Sequence, residues 1–248
     1  RIAILTNGAT PVIARECNLT TDADAILACV SDRTRVVFPA NSNNPTGTYL
    51  PYDEVKRLHA GLPSSVLLVL DGAYAEFVRK NDYASGIELA SQFDNVVLTR
   101  TFSKLYGLAG LRVGWAYAPA HVIDALERVR MPFNVNLIAQ AVAVAALEDD
   151  AFTEKSLAHN DRELPRLIAG LRALGLEVLE SVGNFCVVKF PETKGKTAAE
   201  ALAYLKEHGV TVRSLAGYHM PQYLRISVGT VEGNDAALSH LKAFLAGK

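Results

Sequence analysis

The sequence is poor in the features that mark several large protein classes. Its 248 residues hold only three cysteines, Cys17, Cys29 and Cys186. They are scattered, odd in number and form no Cys-x-x-Cys pair. That argues against a disulfide framework and for a reducing compartment, with the cytoplasm as the default. The six histidines show no ligand spacing such as His-Glu-x-x-His, so no metal site is expected. No apolar run reaches the length of a membrane span, and no signal-peptide pattern is visible. A formal net charge of −1 gives no electrostatic case for nucleic acid or an anionic membrane. Internal repeats and low-complexity linkers are also lacking. What remains is half hydrophobic and 21% charged, a balance that can build a sizeable core in one large domain or two smaller ones.

The most informative stretch runs from Thr101 to Trp115: Thr-Phe-Ser-Lys-Leu-Tyr-Gly-Leu-Ala-Gly-Leu-Arg-Val-Gly-Trp. It sets Lys104 between small hydroxyl residues in a Gly-rich apolar context, with Arg112 further on. Burying an ammonium is costly unless it is paired or neutralised, so a plain core segment would avoid this lysine. Schiff-base formation with an aldehyde cofactor is the chemistry that wants it. Short hydroxyl donors and a forked guanidinium are what a phosphate needs. Pyridoxal phosphate carries both the aldehyde and the phosphate. A Ser-Lys pair is also common on solvated surfaces, so the rest of the chain has to decide.

Three further motifs stand in order along it. Asn41-Ser42-Asn43-Asn44-Pro45-Thr46-Gly47 follows the apolar run at Val36-Val37-Phe38, and Asp71-Gly72-Ala73-Tyr74 follows Val66–Leu70. Near the end stands Tyr223-Leu224-Arg225-Ile226-Ser227-Val228-Gly229. Singly, each has a plainer reading: Asp71 as a helix cap or turn residue, Asn44–Gly47 as a turn, Tyr74 as a core aromatic, Arg225 as an exposed strand residue. Together and in this order they resemble the fold-type-I aminotransferases. Within that group the chain is most similar to the histidinol-phosphate aminotransferase family, and the resemblance runs over nearly the whole length.

The resemblance implies an α/β fold, a mostly parallel sheet with helices on both faces plus a smaller C-terminal α+β domain. It implies pyridoxal 5'-phosphate as cofactor and a homodimer. Lys104 matches the Schiff-base lysine that later shuttles a proton, and Asp71 matches the carboxylate that keeps the pyridine nitrogen protonated. Asn44 and Tyr74 match the pair on the cofactor's phenolic oxygen. Thr101, Ser103 and Arg112 match the phosphate cup. Arg225 matches the arginine that grips the substrate carboxylate, and Arg213 the one that recognises the substrate phosphate. The implied reaction moves an amino group between glutamate/2-oxoglutarate and histidinol phosphate/imidazole-acetol phosphate, in histidine biosynthesis. Met220 and Tyr218 would also suit an aromatic side chain, which keeps a tyrosine or phenylalanine aminotransferase open. A phosphate-specific pyridoxal decarboxylase shares the fold, as does a non-catalytic pyridoxal-binding module attached to a DNA-binding domain. The resembled enzymes carry a further stretch ahead of the point matching Arg1, which supplies an N-terminal arm, a backbone contribution to the phosphate cup and an aromatic that stacks on the cofactor ring. By that measure the N-terminal part of the large domain is missing here.

Periodicity gives the elements. Strands are expected at Thr10–Ala14, Thr34–Phe38, Val66–Leu70, Val96–Thr99 and Val113–Tyr117, with helices at Asp22–Cys29, Tyr52–Ala60, His121–Val129 and Val135–Leu147. This is the βαβ rhythm of a mostly parallel sheet, with the chemical motifs just after strands. The alanines of the last helix, Ala139, Ala141, Ala143, Ala145 and Ala146, suggest close helix packing. After about residue 150 the pattern shifts to a long helix, Ala151–Leu174, that would link two lobes. Strands at Val178–Leu179, Cys186–Phe190, Val210–Arg213 and Leu224–Val228 follow, with helices at Ala198–His208 and Asn234–Leu245. The expected division is a large domain over 1–150 and a small one over 151–248.

Overall fold

The computed structural model describes residues 2–247; Arg1, where the sequence reading sees an abrupt start, lies outside them. The chain opens with a short helix α1 (Ile2–Thr6) and a turn of helix α2 (Ala23–Ala28). Asp22 caps α2, its carboxylate accepting the Ala25 N–H at 3.0 Å, as a short side-chain acceptor does for an orphan first-turn donor. A strand β1 (Val36–Val37), helix α3 (Tyr52–Ala60), strand β2 (Leu67–Asp71), the short helix α4 (Ile87–Ala90) and strands β3 (Val96–Thr101) and β4 (Gly114–Tyr117) complete the first sheet. Its order is β1-β2-β3-β4. The first three strands run parallel and β4 returns antiparallel to β3.

Alternation explains the core beneath it. Leu68 and Leu70 on β2 stand opposite Val96 and Leu98 on β3. All four point to one face and pack with Val55 and Leu58 of α3 and with Leu89 and Ala90 of α4. Gly86 sits at φ +94°, and a Cβ there would come within 2.6 Å of Leu70 Cδ1. The turn into α4 therefore needs glycine for both space and backbone freedom.

Two strand expectations fail. Residues 10–14 form no strand; Val12 and Ile13 are exposed and no neighbouring strand pairs with them. An alternating apolar run becomes a strand only where a ladder and a core face receive it. The run at 210–213 likewise contributes only its end, because Val210 N–H is turned back to the Leu205 carbonyl at 2.8 Å to close a helix end.

Helices α5 (Ala120–Val129) and α6 (Leu137–Glu148) follow, then α7 (Asp150–Ala173). In α6 only Ala139 and Ala143 are buried. They lie one turn apart, so the close packing expected from the alanines is confined to a single stripe. The second sheet comprises β5 (Glu177–Val178), β6 (Phe185–Lys189), β7 (Arg213–Ser214) and β8 (Tyr223–Ser227), in the order β5-β6-β8-β7 with every pairing antiparallel. Helices α8 (Ala198–Glu207) and α9 (Val231–Leu245) pack with α7 on one face of it. A capping box starts α8: Thr197 Oγ1 accepts the Glu200 N–H, and the Glu200 carboxylate accepts the Thr197 N–H at 3.0 Å. Cys186, Val188, Leu224 and Ile226 face those helices. The alternate residues Phe185 and Val187 face the other way, into a cluster with Tyr74, Phe77, Leu105 and Leu215. This second cluster joins the two sheets directly below the motif residues.

Candidate active site

Parallel strands end together, and their C-terminal ends collect the motif residues. Asp71 closes β2 and stands opposite Thr99 on β3. Its carboxylate accepts the Ala73 N–H at 3.1 Å, which fixes the turn that follows, while its side chain stays exposed at the sheet end. Its backbone is held by the Asn41 N–H at 3.0 Å on its own carbonyl and by its N–H to the Pro39 carbonyl at 3.0 Å. The Asn41–Gly47 loop thus starts beside Asp71. Asn41, Ser42, Asn43 and Thr46 are buried within it. Asn43 Nδ2 donates to Thr46 Oγ1 at 2.9 Å and to Glu16 at 2.6 Å. Asn44 alone of these polar residues turns outward. Gly47, at φ +79°, lies so close to Ser181 that a Cβ would fall 2.2 Å from its hydroxyl, and its carbonyl accepts the Val182 N–H at 2.9 Å. The loop is pinned between the two sheets.

Beyond β3, Thr101 Oγ1 accepts the Ser103 N–H at 3.1 Å, turning the chain so that Lys104 follows at once. Lys104 Nζ lies 5.1 Å from the centre of the Tyr74 ring. The ring itself is buried and edge-on to Phe185, with centroids 5.3 Å apart. Arg112 adopts a left-handed backbone, φ 53°, and its guanidinium donates to the Ala109 carbonyl at 3.0 Å. The backbone ladder from Thr101 to Gly114 and the Phe102 N–H to the Val113 carbonyl at 3.2 Å bring Arg112 back across from Ser103.

The second sheet supplies two arginines. Arg225 on β8 stands opposite Arg213 on β7, so both project from one face. The Arg225 guanidinium donates to Asn44 Oδ1 and lies 4.9 Å from the centre of the Phe185 ring. Its Nε is buried and has no hydrogen-bond partner among the described residues, which calls for an explanation. Arg213 is exposed. The structure therefore brings Asn44, Tyr74, Lys104 and Arg225 into one neighbourhood, with Asp71, Thr101 and Ser103 at the adjoining strand ends. Arg112 and Arg213 lie at its rim.

Three residues that sequence reasoning missed brace this neighbourhood. Arg100 and Glu76 are mostly buried, 3.7 Å apart. Arg100 also donates to the Gly72 carbonyl at 3.3 Å, tying the Asp71–Tyr74 turn to β3. Burial raises the Glu76 carboxyl above its ordinary range, with Arg100 opposing. The Tyr83 hydroxyl donates to the Asn41 carbonyl at 3.0 Å, and burial pushes its ionisation up. The polar positions within an otherwise apolar strand and turn, Arg100 and Glu76, were the available signal. A surface hollow of about 820 Å³ is bounded by Val113, Gly114, Arg130, Phe133 and Gln140. It adjoins Arg112 and does not reach Lys104. No group of three or more His, Cys, Asp or Glu residues among those described could hold a metal ion.

A lysine amine, a carboxylate at a strand end, a phenol, two hydroxyls and a guanidinium make up a donor set of the kind that an aldehyde- and phosphate-bearing pyridine needs. The comparisons with known proteins agree with that chemistry. Residues 3–241 match the family described as aminotransferase class I and II, and the chain belongs to that family. It is 55% identical over 244 residues to the histidinol-phosphate aminotransferase of Rhodopseudomonas palustris strain TIE-1, covering 98% of this chain and 67% of that protein. The crystal structure of histidinol-phosphate aminotransferase from Sinorhizobium meliloti in complex with pyridoxal-5'-phosphate superposes with a TM-score of 0.90 at 28% identity, covering 99% of this chain and 67% of that one. The fold is therefore the fold-type-I transferase fold. L-threonine-O-3-phosphate decarboxylase from Porphyromonas gingivalis shares the fold, with a TM-score of 0.77 at 24% identity over 91% of this chain and 69% of that one. The chain spans about two thirds of the length of the relatives it matches.

Proposed function

We propose that this protein is a pyridoxal-phosphate-dependent aminotransferase. It exchanges an amino group between glutamate/2-oxoglutarate and histidinol phosphate/imidazole-acetol phosphate, by a ping-pong sequence. The observation that carries the reading is the meeting of Lys104 and Tyr74, 5.1 Å apart, with the Arg225–Asn44 pair brought in from the other sheet. Identity of 55% to a histidinol-phosphate aminotransferase supports transfer over the decarboxylase, whose likeness concerns the fold alone, and over an aromatic aminotransferase.

When bound, pyridoxal phosphate supplies an electron sink for the bond broken at the substrate Cα. The residues of this chain do the rest. Lys104 would hold the cofactor through its Nζ, and the same amine, when free, would take the Cα proton. Asp71 accepts the pyridine N–H and keeps that nitrogen protonated. Tyr74 and Asn44 donate to the cofactor's phenolic oxygen and fix the ring. Thr101, Ser103 and Arg112 take the phosphate through hydroxyls and a guanidinium. Arg225 grips the glutamate α-carboxylate, and Arg213, opposite it in register, takes the substrate phosphate or the distal carboxylate. We read residues 1–150 as the cofactor-binding domain and 151–248 as the small domain; the two separate sheets support that division. A homodimer is the assembly we infer, supported by the exposed apolar side chains of Met131, Phe133, Leu137 and Ile138. A cytoplasmic setting accords with three unpaired cysteines.

The test is a visible absorption spectrum of the full-length protein with pyridoxal phosphate, before and after adding histidinol phosphate, with phenylalanine as comparison. A cofactor band bleached by histidinol phosphate at low concentration is expected. Bleaching by phenylalanine alone would make it an aromatic aminotransferase. No band at all would remove Lys104 from its role.

A further inference from the structure

Phe185 occupies a position that neither the motifs nor the reaction accounts for. It is 1% exposed, and one ring touches both halves of the site. Tyr74 meets it edge-on, with centroids 5.3 Å apart and planes at 77°. The Arg225 guanidinium lies 4.9 Å from its centre. Edge-to-face pairing and a cation against a ring are both directional, because each uses the ring quadrupole. The Arg225 Nε has no hydrogen-bond partner among the described residues, so the Phe185 ring and the Asn44 carbonyl oxygen set the direction in which the free guanidinium edge points.

We propose that Phe185 is a positioning residue that couples the orientation of Tyr74, on the cofactor side, to that of Arg225, on the substrate-anion side. This rests on the aminotransferase reading above. The strand register makes the coupling rigid. Phe185 pairs with Ser227 and Val187 with Arg225 across β6 and β8, while Cys186 and Val188 on the reverse face are locked into the helix-covered core. Leu105, the neighbour of Lys104, packs in the same cluster as Phe185. A shift of the Phe185 ring would therefore move Tyr74 and Arg225 together.

The experiment compares wild type, Phe185→Leu and Val187→Ala in the full-length protein. Val187 shares the cluster and stands opposite Arg225 in register, but it offers no ring to Tyr74 or to the guanidinium, so Val187→Ala reports loss of packing beside the same residues without loss of a ring contact. Three quantities are read: melting temperature, the pH midpoint of the bound-cofactor absorption band, and the affinity of the cofactor-free protein for succinate by calorimetry. Phe185→Leu is expected to weaken succinate about tenfold, the loss of a desolvated cation–ring contact, and to move the band's pH midpoint. Val187→Ala is expected to lower the melting temperature while leaving the other two unchanged. Should leucine not be tolerated, Phe185→Met repeats the comparison. A Phe185 variant that lowers only the melting temperature overturns the inference, as does a Val187→Ala protein that reproduces both shifts. A wild-type protein with no cofactor band overturns the functional reading and this inference with it. A wild-type band with an unmoved Phe185 variant overturns this inference alone.

Discussion

The second sheet is closed over by its own helices, whereas the first is closed on one flank and bare on the other. Leu167, Leu171, Leu205 and Leu241, from α7, α8 and α9, are fully buried against β6 and β8. On the first sheet, α3 and α4 cover β2 and β3 in the same manner. Yet every residue of β4 is exposed, α5 buries none of its side chains, and Phe133 and Leu137 are 93% and 80% exposed. The site follows this division. Asp71, Tyr74, Lys104 and Arg225 lie where covered elements converge, and local contacts fix them. Arg112 lies at the start of the bare flank, held by a single hydrogen bond to Ala109 among the described residues. Residues set by covered elements can be preorganised, while a side chain on an uncovered flank keeps its freedom until a ligand orders it.

Removing Lys104 breaks the comparison at its strongest point. Lys104→Ala should abolish the cofactor absorption band and lower transamination by about 10³-fold or more, since the proton-transfer group and the covalent anchor go together. The melting temperature of the cofactor-free protein should hardly change. Retained turnover would sink the assignment. The two arginines come next, and they contrast half-buried with exposed. Arg225→Ala should reduce kcat/KM roughly 100-fold, because a partly desolvated, hydrogen-bonded charge is lost. Arg213→Ala should cost histidinol phosphate roughly tenfold and phenylalanine little, as expected of an exposed charge at the rim. Equal losses with both substrates would take Arg213 out of phosphate recognition.

Much of this was legible beforehand, and the misses share one cause. The helix at Tyr52–Ala60 was placed to the residue, because amphipathic spacing and a preceding proline mark it locally. The strands leading to Asp71 and Thr101 are legible for the same reason, an apolar run closed by a polar turn, although they run on to those residues, past the expected ends at Leu70 and Thr99. The absent strand at residues 10–14 and the shortened one at residues 210–213 depended on partners the local sequence does not specify. Phe185 was hidden within the run Phe-Cys-Val-Val-Lys. A run of four apolar residues gives no sign that its two faces serve different purposes, one the helix-covered core and the other the seam beneath Tyr74. The Arg100–Glu76 brace was hidden because its partners lie on different elements.

Stability should divide along the same line. Leu205→Ala, in the closed core of the second sheet, should cost about 2–5 kcal/mol in a denaturant titration. Ile138→Ser on the outer face of α6 should change the stability of the monomer by less than about 0.5 kcal/mol and weaken the homodimer inferred above. A monomer destabilised by several kcal/mol would show that this flank is packed within the chain, and the contrast between the sheets would fall.

The smallest effect concerns acid. Glu163 is buried on α7, accepting from Arg166 at 2.7 Å and from Asn234 Nδ2 at 3.0 Å, and so joins α7 to α9. The Arg166 hydrogen bonds first, then that of Asn234, lower its carboxyl from an ordinary 4.5 to about 2. A folded-state value below the unfolded one means that folding favours the charged form. The stability this contributes is complete above about pH 4.5 and is lost as the pH falls towards 2. Melting temperatures of the wild type should therefore fall more steeply across that window than those of Glu163→Gln, while at neutral pH the variant is the less stable of the two. Parallel acid curves for the two proteins would show that Glu163 is not a carboxylate whose charge ties α7 to α9. The closure of the covered sheet would then owe nothing to the Glu163 charge.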